Sequence, residues 1–89
     1  MKAVITFIGN DQIGIVHKAT AILVKYNLNI VDINQTIMDN YFTMIMLVDI
    51  SKSTVEFSEI VEAYKELGEE IGMYIKVQHE DIFNAMHQI

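Results

Sequence analysis

Between residues 29 and 50 the chain runs through two strand-like stretches separated only by Asp39-Asn40, and on each side of this pair lies a segment whose apolar residues recur every three and four positions. Asp and Asn tolerate positive φ, so the dipeptide can close a tight hairpin, although without a glycine the turn type stays open. A hairpin set between two amphipathic helices, with one more strand at each end, leaves few ways to bury the apolar faces.

The elements read as follows. Residues 2–8 are a nearly continuous apolar run ended by Gly9-Asn10-Asp11, a central strand β1. Ile15, Val16, Ala19, Ile22, Leu23 and Tyr26 make one stripe of a helix α1 over 12–26, with Asn10 or Asp11 suited to cap its start and Asn27 or Asn29 to stop it. In β2 (29–38) the period is two: Val31, Ile33, Gln35 and Ile37 share one face, and Ile30, Asp32, Asn34, Thr36 and Met38 the other. β3 (41–50) is apolar on both faces. Ser53-Thr54-Val55-Glu56 has the reciprocal capping pattern for α2 (54–71), whose stripe of Phe57, Ile60, Val61, Tyr64, Leu67 and Ile71 is interrupted at Gly68 and stopped at Gly72. β4 (73–79) and a short amphipathic tail helix (81–87) complete the order.

Two βαβ units with right-handed crossovers around one hairpin give an α/β (α+β) fold: a ferredoxin-like βαββαβ sandwich with an antiparallel four-stranded sheet ordered 4-1-3-2, both helices on one face, and a C-terminal helix. The expectation is one domain over 1–89. In this topology the β2 edge and the face opposite the helices have no intramolecular cover, and β2 carries neither proline nor lysine to blunt pairing. Hydrophobic residues make up 52% of the chain, above the usual range of about 45–50%, so a homodimer or higher homo-oligomer, through paired β2 edges or stacked sheets, is the expected answer to the surplus.

Composition also excludes chemistry. There is no cysteine, so disulfides, thiolate catalysis and cysteine-held metals are out. All six basic residues are lysines against twelve carboxylates, and a net charge of −6 without a guanidinium argues against direct nucleic-acid binding. No apolar run reaches the ~20 residues of a membrane span and the N-terminus has no cleavage pattern, which points to the cytoplasm and to no membrane partner. His17, His79 and His87 show no ligating spacing; a metal site would have to be assembled by folding, as from His79, Glu80 and Asp81, and surface histidines are the plainer reading. The glutamates of α2 read as a solvated face and Ser53 as a cap, so no cofactor and no enzyme is expected. Tyr26, Phe57 and Tyr64 fall on helix stripes and read as core, whereas Tyr41, Phe42 and Tyr74 are candidates for an exposed sheet face; Met38, Met44, Met46 and Met73 would make such a face adaptable to a partner, although strand methionines are more often plain packing.

The most informative stretch is Gly9-Asn10-Asp11-Gln12-Ile13-Gly14-Ile15-Val16, a strand-to-helix turn bracketed by glycines. Open amides at a helix start take a carboxylate or phosphate oxygen, Gly14 permits close approach, and Asp11 can pair with an ammonium. A free amino acid would use both features. Simple helix capping by Asn10 and Asp11 explains the same residues. A second polar cluster, Asn27, Asn29, Asp32, Asn34 and Gln35, stands at the other end of α1, and at a paired β2 edge one subunit's Asn29 or Asp32 would face the other's α1 turn; a loop beside a solvated strand is the alternative.

With the turn 9–16, Asn27-Leu28-Asn29-Ile30 entering β2, Leu67-Gly68-Glu69-Glu70-Ile71-Gly72-Met73 and Gln78-His79-Glu80-Asp81-Ile82-Phe83 at the end, the whole chain resembles the ACT domain. Within that family it resembles the stand-alone bacterial subfamily related to the glycine cleavage system regulator. The resemblance implies effector binding between paired domains: an effector loop at Asn10, Asp11, Gln12, Ile13 and Gly14, with Gly14 the turn glycine, completed by Asn29 and Asp32. One departure is Ile13, where the family frequently has proline; without it the turn is less preorganised and effector binding weaker or different. The expected function is a regulatory module that binds a small amino acid or related carboxylate and acts on a separate protein. The alternative is an effector-free adaptor that uses its open sheet face or tail helix.

Overall fold

The computed structural model describes residues 1–10 and 13–86. Its elements are β1 (Lys2–Asn10), α1 (Ile15–Tyr26), β2 (Asn29–Met38), β3 (Tyr41–Asp49), α2 (Phe57–Ile71), β4 (Tyr74–His79) and α3 (Glu80–Met86), and the sheet order is β2-β3-β1-β4 with every pair antiparallel. This is the ferredoxin-like sandwich expected from the sequence, with two helices on one face and a short C-terminal helix.

The period-two faces of the central strands explain the core. Ala3, Ile5 and Phe7 of β1 and Phe42, Met44, Met46 and Val48 of β3 are almost wholly buried under Ile15, Ala19 and Leu23 of α1 and Ile60, Tyr64 and Leu67 of α2. Phe42, Met44, Met46 and Met73 are therefore packing residues and not surface ones, while Tyr41, Tyr74 and Met38 are exposed as the strand pattern implied. Tyr26 and Phe57 pack half-buried at the core margin.

Local signals held unequally. Asn27 stops α1 in the left-handed region (φ 59°), its N–H and that of Leu28 returning to the last-turn carbonyls, and Gly72 stops α2 in the same way (φ 67°). Asp39, with φ 59°, makes the hairpin turn; Asn40 keeps negative φ, which rules out a type I′ turn.

The starts of both helices lie later than their sequence patterns indicated. α1 begins at Ile15 with Gly14 as its N-cap, so Asn10 is not a cap but the last residue of β1, paired with Tyr41. α2 begins at Phe57 with Glu56 as its N-cap, and the reciprocal Ser53/Glu56 cap does not form. The Ser53 hydroxyl is instead taken up locally, accepting from the Val55 N–H at 3.1 Å and donating to the Val55 carbonyl at 2.8 Å.

Gly68 does not break α2 either. A Cβ there would stand 2.7 Å from the Met73 carbonyl oxygen, so glycine lets the chain entering β4 pass against the helix.

β2 departs from simple alternation. A bulge between Ile30 and Asp32 puts Ile30 opposite Val48, on the helix-side face with Ile33, Gln35 and Ile37, and leaves Val31 as the extra residue. All ten residues of β2 are exposed, so no other described part of the chain covers the edge strand, as the topology implied. α3 packs against β1 and β4.

Candidate functional site

The sequence-predicted site residues fall at opposite ends of the molecule. Asn10 ends β1, and Ile13 and Gly14 follow at the α1 start, beside the β2–β3 hairpin. Asn29 opens β2 opposite Asp49 at the far end of the sheet. At about 3.3 Å per strand residue, Asn29 and the hairpin end of its own strand stand about 30 Å apart. Asp11 and Gln12 lie outside the described residues, as does His87.

The turn is open where it is described. Gly14 takes φ 82° and ψ 6°, which glycine adopts without strain, and no atom lies within 4 Å of the position its Cβ would occupy. Ile13 is fully exposed. The first bond of α1 runs from the Lys18 N–H to the Gly14 carbonyl at 3.0 Å, so the amides of Ile15, Val16 and His17 have no acceptor within the helix. No acidic side chain stands in the first turn to offset their partial positive charge. Nor is the turn sealed by α3, which follows the β4 residue paired with Ala3 at the opposite end of β1.

At the other end, Asn27, Leu28, Asn29, Asp49 and Lys52 line a polar dent of about 380 Å³. The sequence reading named Asn27 and Asn29 but missed Asp49, the last residue of β3 and the partner of Asn29, and Lys52 of the β3–α2 connection. The Ser51 hydroxyl and N–H donate to Asp49 Oδ1 at 2.6 and 2.9 Å, and with the charges of the Met1 amine and Lys2 they hold its carboxyl below the ordinary 3.8. Asp32 is exposed, and its Oδ1 accepts from the Ile33 N–H at 2.9 Å, next to the bulge. His79 Nδ1 and Asp81 Oδ2 approach to 3.8 Å, but among the described residues no three ligating side chains gather around one point. No helix among the described residues is long and apolar enough to cross a membrane.

These features define the class. The chain belongs to the ACT-domain family, whose model matches residues 2–78. Within it the chain is a small protein of the UPF0237 family: it is 55% identical to the UPF0237 protein of Clostridium perfringens over the full length of both, and 57% identical to that of Methanococcus maripaludis over 99% of this chain and 98% of the other.

Among solved structures, an ACT domain protein from Streptococcus pneumoniae is 37% identical and covers 98% of each chain with a TM-score of 0.80. The regulatory subunit of aspartate kinase from Thermus thermophilus, in its ligand-free form, is 25% identical and matches 86% of this chain and 50% of its own length with a TM-score of 0.67.

Two parts of the resemblance need correction. The family is archaeal as well as bacterial. The structure of a putative glycine cleavage system transcriptional repressor is only 21% identical over 47% of its length, at a TM-score of 0.74, which shares the fold and not the subfamily. The chain is thus a regulatory, non-catalytic module of the small-ligand-sensing kind that is found fused to or paired with metabolic enzymes.

Proposed function

We propose that two copies pair through their β2 edges and bind a small amino acid or related carboxylate between them, in the cytoplasm, to regulate a separate metabolic or transcriptional protein. The observation that carries this reading is the open turn: a left-handed Gly14 beside an exposed Ile13, with three amides that find no acceptor inside the helix. Those amides receive the carboxylate, and Asn10, Asp11, Gln12, Ile13 and Gly14 surround it.

Antiparallel pairing of two ten-residue β2 strands brings the Asn29 end of one alongside the hairpin end of the other, so Asn29 and Asp32 of the second copy complete the site although they lie far from the turn in their own chain. The exposed Ile30, Val31, Ile33 and Ile37 supply the apolar area for such pairing. A thermal-shift screen against the twenty amino acids tests it, since a ligand selective for the folded state raises apparent stability by mass action.

The second reading is an effector-free adaptor. It is favoured by Ile8, Ile45 and Tyr74, which are exposed on the sheet face opposite α1 and α2. No shift with any amino acid, in a protein of confirmed dimer mass, selects the adaptor.

A further inference from the structure

The two helices that cover the core leave a groove of about 790 Å³ between them on the solvent side. Its apolar lining comes from Ala21 and Ile22 of α1 and Ala63 and Leu67 of α2, and its two sides carry charges of opposite sign. Lys18 and Lys25 stand on the α1 side, and Glu59, Glu62, Glu66 and Glu70 on the α2 side. The division extends to the whole helices: α1 holds two lysines and no carboxylate, and α2 five glutamates and one lysine.

The two sides do not neutralise each other. Among the described residues the one basic side chain at ion-pair distance from a carboxylate is His79, beside Asp81, and the Lys25 ammonium lies instead over its neighbour Tyr26, 5.4 Å from the ring centroid. Glu62, Glu66 and Glu70 follow one another at steps of four, where like charges on a helix repel. α1 also presents an apolar residue to solvent, Val24, which is 82% exposed and one turn from Ala21.

A partner of one charge sign would satisfy one helix and repel the other. A second copy turned by a two-fold axis that runs along the helices, between two facing layers, sets α1 of each copy on α2 of the other and offers each sign to its opposite. The spacing agrees. Lys18 and Lys25 are seven residues apart, as are Glu59 and Glu66, so both pairs span about 10 Å of helix. The levels agree as well, because the Thr54 N–H donates to the Tyr26 carbonyl at 3.0 Å and so brings the approach to α2 beside the end of α1, which puts Lys25 level with the Glu59 end and Lys18 with the Glu66 end.

We infer that the α1/α2 layer is a docking face for the same layer of a second copy, with Lys18 and Lys25 of each meeting the α2 glutamates of the other. The inference goes beyond the proposed function because it needs neither the α1 turn nor the β2 edge. Used together with edge pairing, it is the contact by which a dimer grows into a higher homo-oligomer. Exposed ion pairs each contribute little, so the association is weak and salt-dependent.

The test is dilution of the ¹⁵N-labelled full chain from about millimolar concentration at low salt, followed by amide shifts. Concentration-dependent changes are expected at Lys18, Ala21, Val24 and Lys25 and at Glu62, Ala63 and Glu66, with association at least about tenfold weaker when salt is raised from about 0.05 to 0.5 M. Lys18→Glu with Lys25→Glu, and separately Glu62→Lys with Glu66→Lys, should each lose these changes; all four residues are exposed, so circular dichroism should stay that of the parent. Mixing the two variants should restore them, since each helix then meets the opposite sign. Helix-layer shifts that ignore dilution in the parent, or a mixed pair that fails to recover them, would overturn the inference. Changes confined to residues 29–38 would overturn it too and leave the edge reading standing.

Discussion

The Tyr64 hydroxyl donates a hydrogen bond to the Ala19 carbonyl oxygen at 2.8 Å, in full burial, while the Tyr64 ring meets Phe7 edge to face at 5.9 Å and 80°. One side chain of α2 is thus tied to the middle of α1 and to the central strand. Ala19 stands one helical turn beyond Ile15, so the bond helps hold the α1 start where its amides face outward.

Replacing Tyr64 by Phe removes that bond and keeps the ring. The expected loss is about 1 kcal/mol in urea unfolding. Burial pushes the phenol above its ordinary 10.0, so its contribution is complete below pH 10 and declines as pH rises and the unfolded chain ionises first. Tyr64→Phe should therefore also flatten the alkaline limb of the stability profile; an unchanged limb would contradict the role of the buried hydroxyl.

Gly68→Ala sets helix propensity against contact. Alanine gains about 1 kcal/mol in an open helix, but here its Cβ would press on backbone oxygen at 2.7 Å, which something must move to relieve. The net result should be a loss of about 1–3 kcal/mol in unfolding free energy. A stabilised variant would show that the approach of α2 to Met73 is not constrained.

Asp49 gives the acid side. Its carboxyl is held low chiefly by the Ser51 hydroxyl and then by the Ser51 N–H, so its contribution is present above the unfolded value and is lost as pH falls through the lower folded one. In Ser51→Ala the Asp49 carboxyl should titrate at higher pH, read by ¹³C carboxyl shifts. An unmoved titration would assign the lowering to the residue-51 N–H, the Met1 amine and Lys2 instead.

How far these features were legible in the sequence depended on what kind of signal carried them. Strand and helix identity, the sheet order and the exposed β2 edge came from apolar period, which reflects burial and survives folding. Helix starts did not, because Ser53 and Asn10 fit a cap by type alone and the strand or turn they join used them first. The bulge at Val31 carries no mark in residue type, so the face of Ile30 was misread. Gly14 and Asn29 were readable as polar and glycine punctuation, whereas Asp49 and Lys52 reach the dent only through the fold. The breadth of the family into archaea is likewise absent from any one chain.

The β2 edge should carry self-association. Ile33→Lys with Ile37→Lys places like charges on both strands of an antiparallel pair, and the dimer should dissociate by sedimentation at micromolar concentration while circular dichroism stays unchanged. An unaltered sedimentation coefficient in a dimeric protein would move the interface to the open sheet face.

The most direct test of the intersubunit site is complementation between two defective subunits. Gly14→Asp sets a carboxylate where the ligand's own would lie, and Asn29→Ala removes the contact from the opposite copy; each variant alone should fail to bind an amino acid that stabilises the parent chain. Mixed and re-annealed, the two should regain binding at the one intact site of each mixed dimer, seen by calorimetry. Mixed dimers that remain without binding would contradict a site shared between subunits.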